Sequence, residues 1–205
     1  MTHRLHAPST ADPACNDRLT WRGTAVLIVL AYCFAVGMRF TWIEYANGQA
    51  SYQWNGHATP NNRDSFLFGC ILQKACLGMH KENTMVPGVL HHGVITAVPY
   101  LLLKTTPVTI DQLLLYASVF VAPLIVVPLV WIGRLFGSTA WGGLAALVGG
   151  IGHSYYNRTL AGYFDTDMVS VTVPVVALAC LMTASRKSSL EWSLAAAVTL
   201  FLYPF

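Results

Sequence analysis

The segment Tyr155-Tyr156-Asn157-Arg158-Thr159-Leu160-Ala161-Gly162-Tyr163-Phe164-Asp165-Thr166-Asp167-Met168 holds the residues best suited to chemistry. Two carboxylates, Asp165 and Asp167, flank one threonine just where an apolar block begins. Charge at the end of a membrane helix is costly unless it is paired or solvated, and two like charges so close repel each other. A divalent cation relieves both problems, and hard oxygen ligands suit Mg2+ or Mn2+. The competing reading is structural: an acidic N-cap, then a second acid in the first turn, both favoured by the helix dipole. Arg158 lies seven residues before Asp165. Its guanidinium fork could lock a carboxylate or hold a phosphate oxygen, or it could snorkel from a helix end. Asn157-Arg158-Thr159 spells a glycosylation sequon, but it abuts an apolar block and is rejected as an acceptor.

Asn61-Asn62-Arg63-Asp64-Ser65-Phe66 offers a further acid, Asp64, which alone reads as an ordinary polar loop residue. His57, His80, His91, His92 and His153 show no metal-ligand spacing, and neither do the cysteines. Cys33 and Cys180 sit inside apolar blocks as small hydrophobes. Cys70 and Cys76 are six apart and could pair in an oxidising compartment, although spacing carries no geometry. Cys15 lies in the polar N-terminal stretch.

The elements that position these residues follow from composition. The chain has 205 residues, 55% hydrophobic and 10% charged, with mean hydropathy +0.51. Soluble domains average about 25% charge, and disorder needs charge with little apolar content. Both classes are excluded. Net charge is +3 with no basic stripe, which argues against nucleic acid. What remains is an all-α, polytopic transmembrane helical protein.

Spanning helices need about 20 mostly apolar residues. The uncharged blocks place them near 23–44, 112–133, 138–156, 167–184 and 191–205, about five spans. Residues 1–22 form a polar cytoplasmic segment ahead of a signal-anchor helix, with Trp42 and Tyr45 marking its far interface. Residues 23–205 form the helical domain. The chain ends at Tyr203-Pro204-Phe205 inside an apolar block, as the N-terminal part of a longer protein would.

The stretch 83–103 contains Pro87, Pro99, His91 and His92, and reads as a short helix at the outer interface within a long first external loop, about 45–111. That count puts Arg4, Arg18, Arg22, Arg134 and Arg186-Lys187 on the cytoplasmic side. It also puts Asp64, Asp165 and Asp167 in one outer compartment.

Several segments, in order, resemble the catalytic subunit of oligosaccharyltransferase, most closely its bacterial single-subunit form. They are Ala31-Tyr32, Arg39-Phe40 and Trp42, then Arg63-Asp64-Ser65-Phe66, Lys104-Thr105-Thr106-Pro107 and Leu115-Tyr116-Ala117-Ser118. The most specific are Ser154-Tyr155-Tyr156-Asn157-Arg158-Thr159 and Gly162-Tyr163-Phe164-Asp165-Thr166-Asp167-Met168. Tyr203-Pro204 matches a tyrosine-proline pair further on. The neighbours of Asp64 depart from the usual asparagine-aspartate-glycine-tyrosine form.

The resemblance implies transfer of a preassembled oligosaccharide from a polyprenyl diphosphate to asparagine in Asn-X-Ser/Thr, dependent on Mg2+ or Mn2+. It implies a bacterial inner-membrane protein whose site faces the periplasm. Asp64 would bind metal and acceptor, Asp165 and Asp167 would ligate the metal, and Asp167 and Arg158 would support catalysis at the site. Arg158 and Tyr203 would contact the donor. The family's later catalytic glutamate and its Trp-Trp-Asp motif have no counterpart here, so residues 1–205 alone are expected to be inactive. Two other readings stay open: a membrane glycosyltransferase that moves a lipid-phosphate sugar to a glycan, and a non-catalytic membrane remnant.

Overall fold

In hydrocarbon, every backbone N–H and C=O must find its partner within the segment, so apolar runs become helices. The computed structural model describes residues 19–78, 86–89 and 93–203. Among these residues the regular structure is helical apart from one short hairpin.

Helix α1 (Trp21–Asn47) starts at Thr20, whose hydroxyl accepts the Gly23 N–H. A hairpin follows, β1 (Gln53–Trp54) against β2 (His57–Ala58), antiparallel with Trp54 opposite His57. Its turn residues Asn55 and Gly56 both have positive φ, as a tight hairpin requires. Helix α2 (Arg63–Leu77) is capped by Asn62. Helix α3 (Val94–Thr105) has Pro99 inside it. Helices α4 (Ile110–Val121) and α5 (Val126–Leu135) run nearly end to end, separated by one 3-10 turn at Pro123. Then come α6 (Thr139–Gly150), α7 (His153–Asn157), α8 (Asp167–Ser170), α9 (Thr172–Lys187) and α10 (Leu190–Phe201).

Three stretches are long and apolar enough to cross a membrane: Trp21–Asn47, Ile110–Leu135 and Asp167–Lys187. The chain is thus an all-α polytopic membrane protein. The other two expected spans, 138–156 and 191–205, correspond to helices of 12 residues each, α6 and α10. At 1.5 Å per residue each covers about 18 Å of a core of about 30 Å. The 138–156 helix breaks at Gly152, just after the pair Gly149-Gly150, because glycine gives the least helical support of any residue but proline.

The expected loop 45–111 is largely structured. It holds the hairpin, α2 and α3. The α2 helix was legible in the Asn62 cap and the spacing Phe68, Ile71, Leu72, all buried. The short helix expected at 83–103 is observed as Val94–Thr105. His80, His91 and His92 lie outside the described residues, as do Cys15, Arg4, Arg18 and Pro204. Cys70 and Cys76 are both free. Six positions apart on one helix, they point in different directions and cannot bridge. Cys180 is buried as expected, whereas Cys33 faces outward from α1.

Small residues set the helix packing. A Cβ on Gly133 would lie 2.2 Å from Gly142 Cα, so the backbones of α5 and α6 touch. Leu27 of α1 fills the space above Gly143. Arg134 and Arg186 lie at one end of the bundle. Arg134 donates to Leu19 O at 3.1 Å and Thr24 Oγ1 at 2.6 Å, joining the end of α5 to the start of α1. Arg186 lies 5.8 Å over the Phe136 ring, which brings the end of α9 there too. At the opposite end, one hydrophobic core unites α2, α3 and α4 with the segment after α7. Its buried members include Phe68, Leu72, Ile95, Leu114, Phe164 and Met168.

Candidate functional site

The segment 158–166 between α7 and α8 carries Arg158 and Asp165 and is clamped from several elements. Gly162 N–H donates to Leu115 O of α4 at 2.9 Å, and Gly162 O accepts from Asn61 N–H at 3.2 Å. Ser118 of α4 donates to Leu160 O at 2.7 Å. From the first turn of α2, Ser65 Oγ donates to Gly162 O at 2.9 Å and accepts from Phe164 N–H at 2.8 Å. Gly162 has φ +82°, and Thr59 O and Pro60 Cα lie where its Cβ would meet them at 3.2 Å. Only glycine meets both demands without strain.

This stitching brings Asp64 to Asp165. Asn62 caps α2 by accepting the Ser65 N–H at 2.9 Å, which leaves Asp64 with no capping duty. The Asp64 side chain is exposed on the open face of the site, and the Ser65–Phe164 bond beside it draws its segment against that of Asp165. The proton affinity of Asp64 is raised above the ordinary carboxylate level. Loss of water is the first cause, followed by the negative charge of Asp165 and the hydrogen bond to it. Arg158 opposes the rise, and Asp167 adds a smaller push upward.

Asp165 is buried, and its Oδ1 accepts from Thr166 N–H at 2.6 Å and Thr166 Oγ1 at 3.1 Å. It therefore does not cap the helix that follows; Thr166 occupies the cap position and makes no side-chain cap bond. Asp167 does lie in the first turn of α8, where the helix dipole favours it. Its Oδ2 accepts a close hydrogen bond from Arg158 Nε. The same guanidinium places Nη2 3.9 Å from Asp165 Oδ2. Arg158 is thus a fork between both acids, with its own side chain 63% exposed.

The structure therefore brings Asp64, Arg158, Asp165 and Asp167 together at the end of the bundle away from Arg134 and Arg186. Among the described residues, no group of three acids, histidines or cysteines is arranged around a single metal position. Asp167 is turned to Arg158. The Asp64–Asp165 pair still fits a small divalent cation, since Mg2+ is commonly held by one or two carboxylates plus phosphate and water. Asn61 Oδ1 is buried with no hydrogen-bond partner among the described residues, one more oxygen without a donor in this segment.

Tyr203 lies at the far end of the chain from Asp64, two helices beyond Asp167. It follows α10, with its amide donating to Leu200 O at 3.1 Å. Its neighbour Leu202 lines an apolar cavity of about 850 Å³ whose wall includes Phe164, Met168, Tyr116 and Val98. Phe164 and Met168 are the residues just beside the acidic segment, so cavity and acids share a wall. Of the rejected sequon, Thr159 is fully buried while Asn157 and Arg158 are exposed.

Three residues of this site carry roles that sequence reasoning did not assign. Ser65 and Ser118 fasten the segment, and Arg39 of α1 is completely buried beneath it. The sequence signals for Arg39 are its place in the Arg39-Phe40 match and a charge well inside an apolar helix.

Residues 84–204 match the family described as "Oligosaccharyl transferase STT3, N-terminal". That range includes Arg158, Asp165, Asp167 and Tyr203 but not Asp64. Two proteins from different strains of Campylobacter jejuni, each named undecaprenyl-diphosphooligosaccharide–protein glycotransferase, are similar to this chain. Each is 32% identical over 152 residues, which is 74% of this chain and 21% of the relative. The matched region spans about a fifth of the relatives' length.

Proposed function

Because this chain belongs to the oligosaccharyl transferase STT3 family, we propose that it carries part of a site moving a preassembled oligosaccharide from polyprenyl diphosphate to sequon asparagine. The observation that carries the reading is the joining of the Asp64 and Asp165 segments through Ser65, beside the Arg158 fork, at the end of the bundle opposite Arg134 and Arg186. By the positive-inside bias, the basic end is cytoplasmic and the acidic end faces the periplasm across a bacterial inner membrane.

The acceptor amide is a poor nucleophile because its lone pair is delocalised into the carbonyl. The ionised Asp64 carboxylate accepts one amide N–H, twisting nitrogen away from conjugation and orienting it toward the sugar carbon. Asp165 is held rigid by Thr166, and keeps its negative charge aimed at the same place. Arg158 offers the donor diphosphate a charge-assisted contact. Asp167 orients that guanidinium. Mg2+ or Mn2+ held by Asp64 and Asp165 would neutralise charge building on the departing diphosphate. The apolar cavity behind Phe164 and Met168 suits the isoprenoid part of such a donor, with Tyr203 near its rim.

The test is a chimera in which this chain replaces the matching region of the Campylobacter jejuni relative. Membranes bearing it receive lipid-linked oligosaccharide and a labelled sequon peptide. Peptide glycosylation is expected, and Asp64→Ala and Asp165→Ala should each lower it at least 100-fold with insertion intact, the scale for losing charge stabilisation at a reacting centre. Wild-type rates in either variant would remove the assignment.

A further inference from the structure

Arg39 is 0% exposed, yet no carboxylate pairs with it among the described residues. A buried charge must be satisfied by other means. Its partners are instead carbonyls and one hydroxyl. Nη1 donates to Ala35 O at 3.0 Å and to Gly150 O at 2.9 Å. Nε donates to Thr159 O at 3.1 Å, and Nη2 donates to Thr159 Oγ1 at 2.8 Å. The rings of Tyr155 and Tyr156 stand 5.7 and 5.6 Å from the guanidinium carbon.

These acceptors are not scattered. Gly150 ends α6, and Thr159 lies just past the end of α7. One rigid guanidinium therefore ties both ends of the α7 excursion to α1. Thr159 is also the direct neighbour of Arg158, and its hydroxyl donates onward to Tyr155 O at 2.7 Å. The place where Arg158 leaves the backbone is thereby set from α1. A lysine would bring a compact ammonium with no fork, so it could hold the Gly150 carbonyl or the Thr159 pair but not both with good geometry.

We propose that Arg39 is a positioning residue, which fixes Thr159 and so aims Arg158 at the diphosphate of the donor. This rests on the proposed transferase reading for the donor, but not for the geometry, and the two can fail separately.

The experiment uses the full chain in lipid nanodiscs, comparing wild type with Arg39→Ala, Arg39→Lys and Thr159→Val. The first readout is amide hydrogen exchange. Arg39→Ala should speed exchange at 157–166 at least tenfold and leave α5 and α9 unchanged. Arg39→Lys should fall between it and wild type. Thr159→Val, which keeps shape and removes one acceptor, should give a smaller rise at the same amides. If Arg39→Ala does not insert, Thr159→Val decides by the same criterion. Unchanged exchange at 157–166 overturns the proposal, and so does a rise spread evenly over α1, α5 and α9, the mark of an arginine that merely supports the bundle. The second readout is affinity for a short polyprenyl diphosphate with Mn2+, expected to fall about tenfold in Arg39→Ala and to recover in part in Arg39→Lys. No binding by wild type would sink the transferase reading while the exchange result still decides the role of Arg39.

Discussion

The Ser65 hydroxyl receives the Phe164 amide proton at 2.8 Å, and these two residues are the immediate chain neighbours of Asp64 and Asp165. The bond is buried, as is its companion from Ser65 Oγ to Gly162 O. One small side chain thus joins two segments almost a hundred residues apart in the chain. A serine is the natural size for the task, because its hydroxyl both donates and accepts.

Ser65→Ala leaves the buried Phe164 N–H without that acceptor. An unsatisfied buried donor costs about 1–3 kcal/mol. A lower thermal midpoint is expected in detergent-solubilised protein. Because Asp64 and Asp165 lose their spacer, Mn2+ affinity should fall further than the stability loss explains. Isothermal titration beside a melting curve checks both, and a stability loss with unchanged Mn2+ affinity would contradict the linkage.

Asp64 holds its proton more tightly in the folded chain than an ordinary carboxylate does, through lost water and the facing Asp165. The folded state therefore binds more protons than the unfolded state above the ordinary carboxylate value of about 4 and up to the raised value. Stability falls as pH rises through that window, and the repulsive penalty is present in full above it. In metal chelator, the thermal midpoint should climb as pH is lowered from neutral into that window. Asp64→Asn should flatten this climb and be the more stable protein at neutral pH. Mn2+ competes with this proton for Asp64, so Mn2+ affinity should fall as pH is lowered into the same window.

Arg158 competes with any cation for Asp167. Arg158→Ala frees that acid, so Mn2+ affinity without donor should hold or rise. Donor binding should weaken about tenfold, the worth of about 1.4 kcal/mol from a lost charge-assisted contact. Arg158→Lys should recover less than half of that loss, because an ammonium cannot bridge Asp165 and Asp167 as the fork does. Mn2+ binding read by electron paramagnetic resonance, and donor binding by fluorescence, separate the two effects.

Gly162→Ala forces a side chain into positive φ and presses its Cβ against Thr59 O and Pro60 Cα. The conformational cost is about 1–3 kcal/mol. The expected signs are a lower melting temperature and faster amide exchange at 160–166. Gly137→Ala serves as the control: it also has positive φ but lies at the basic end of the bundle. It should lower stability without changing donor affinity.

The family, the helical membrane class and the three acids were all legible in the chain itself. Apolar blocks announce helices because backbone groups in lipid have no other partner, and the motif around Arg158 to Met168 carries its chemistry in consecutive residues. Asp167 in a first helical turn followed from spacing alone. Asp165 as a helix cap did not survive, since its carboxylate bonds to Thr166 instead. The length of α6 was also misjudged, because hydropathy counts Gly149, Gly150 and Gly152 as nearly neutral while the helix counts them as breaks.

Sequence by itself determined which residues are charged, which stretches are apolar, and that the Arg158 to Asp167 segment resembles the family's acidic motif. Tertiary structure alone decided that Ser65 fastens the Asp64 segment to Phe164, that Asp167 answers to Arg158, and that a fully buried Arg39 stands underneath. The reason is physical. Local order comes from neighbours at spacings of three or four, which sequence displays. The contacts that matter at this site are single hydrogen bonds between segments distant in the chain, made by Ser65, Gly162 and Thr159, and they exist only once the helices have packed.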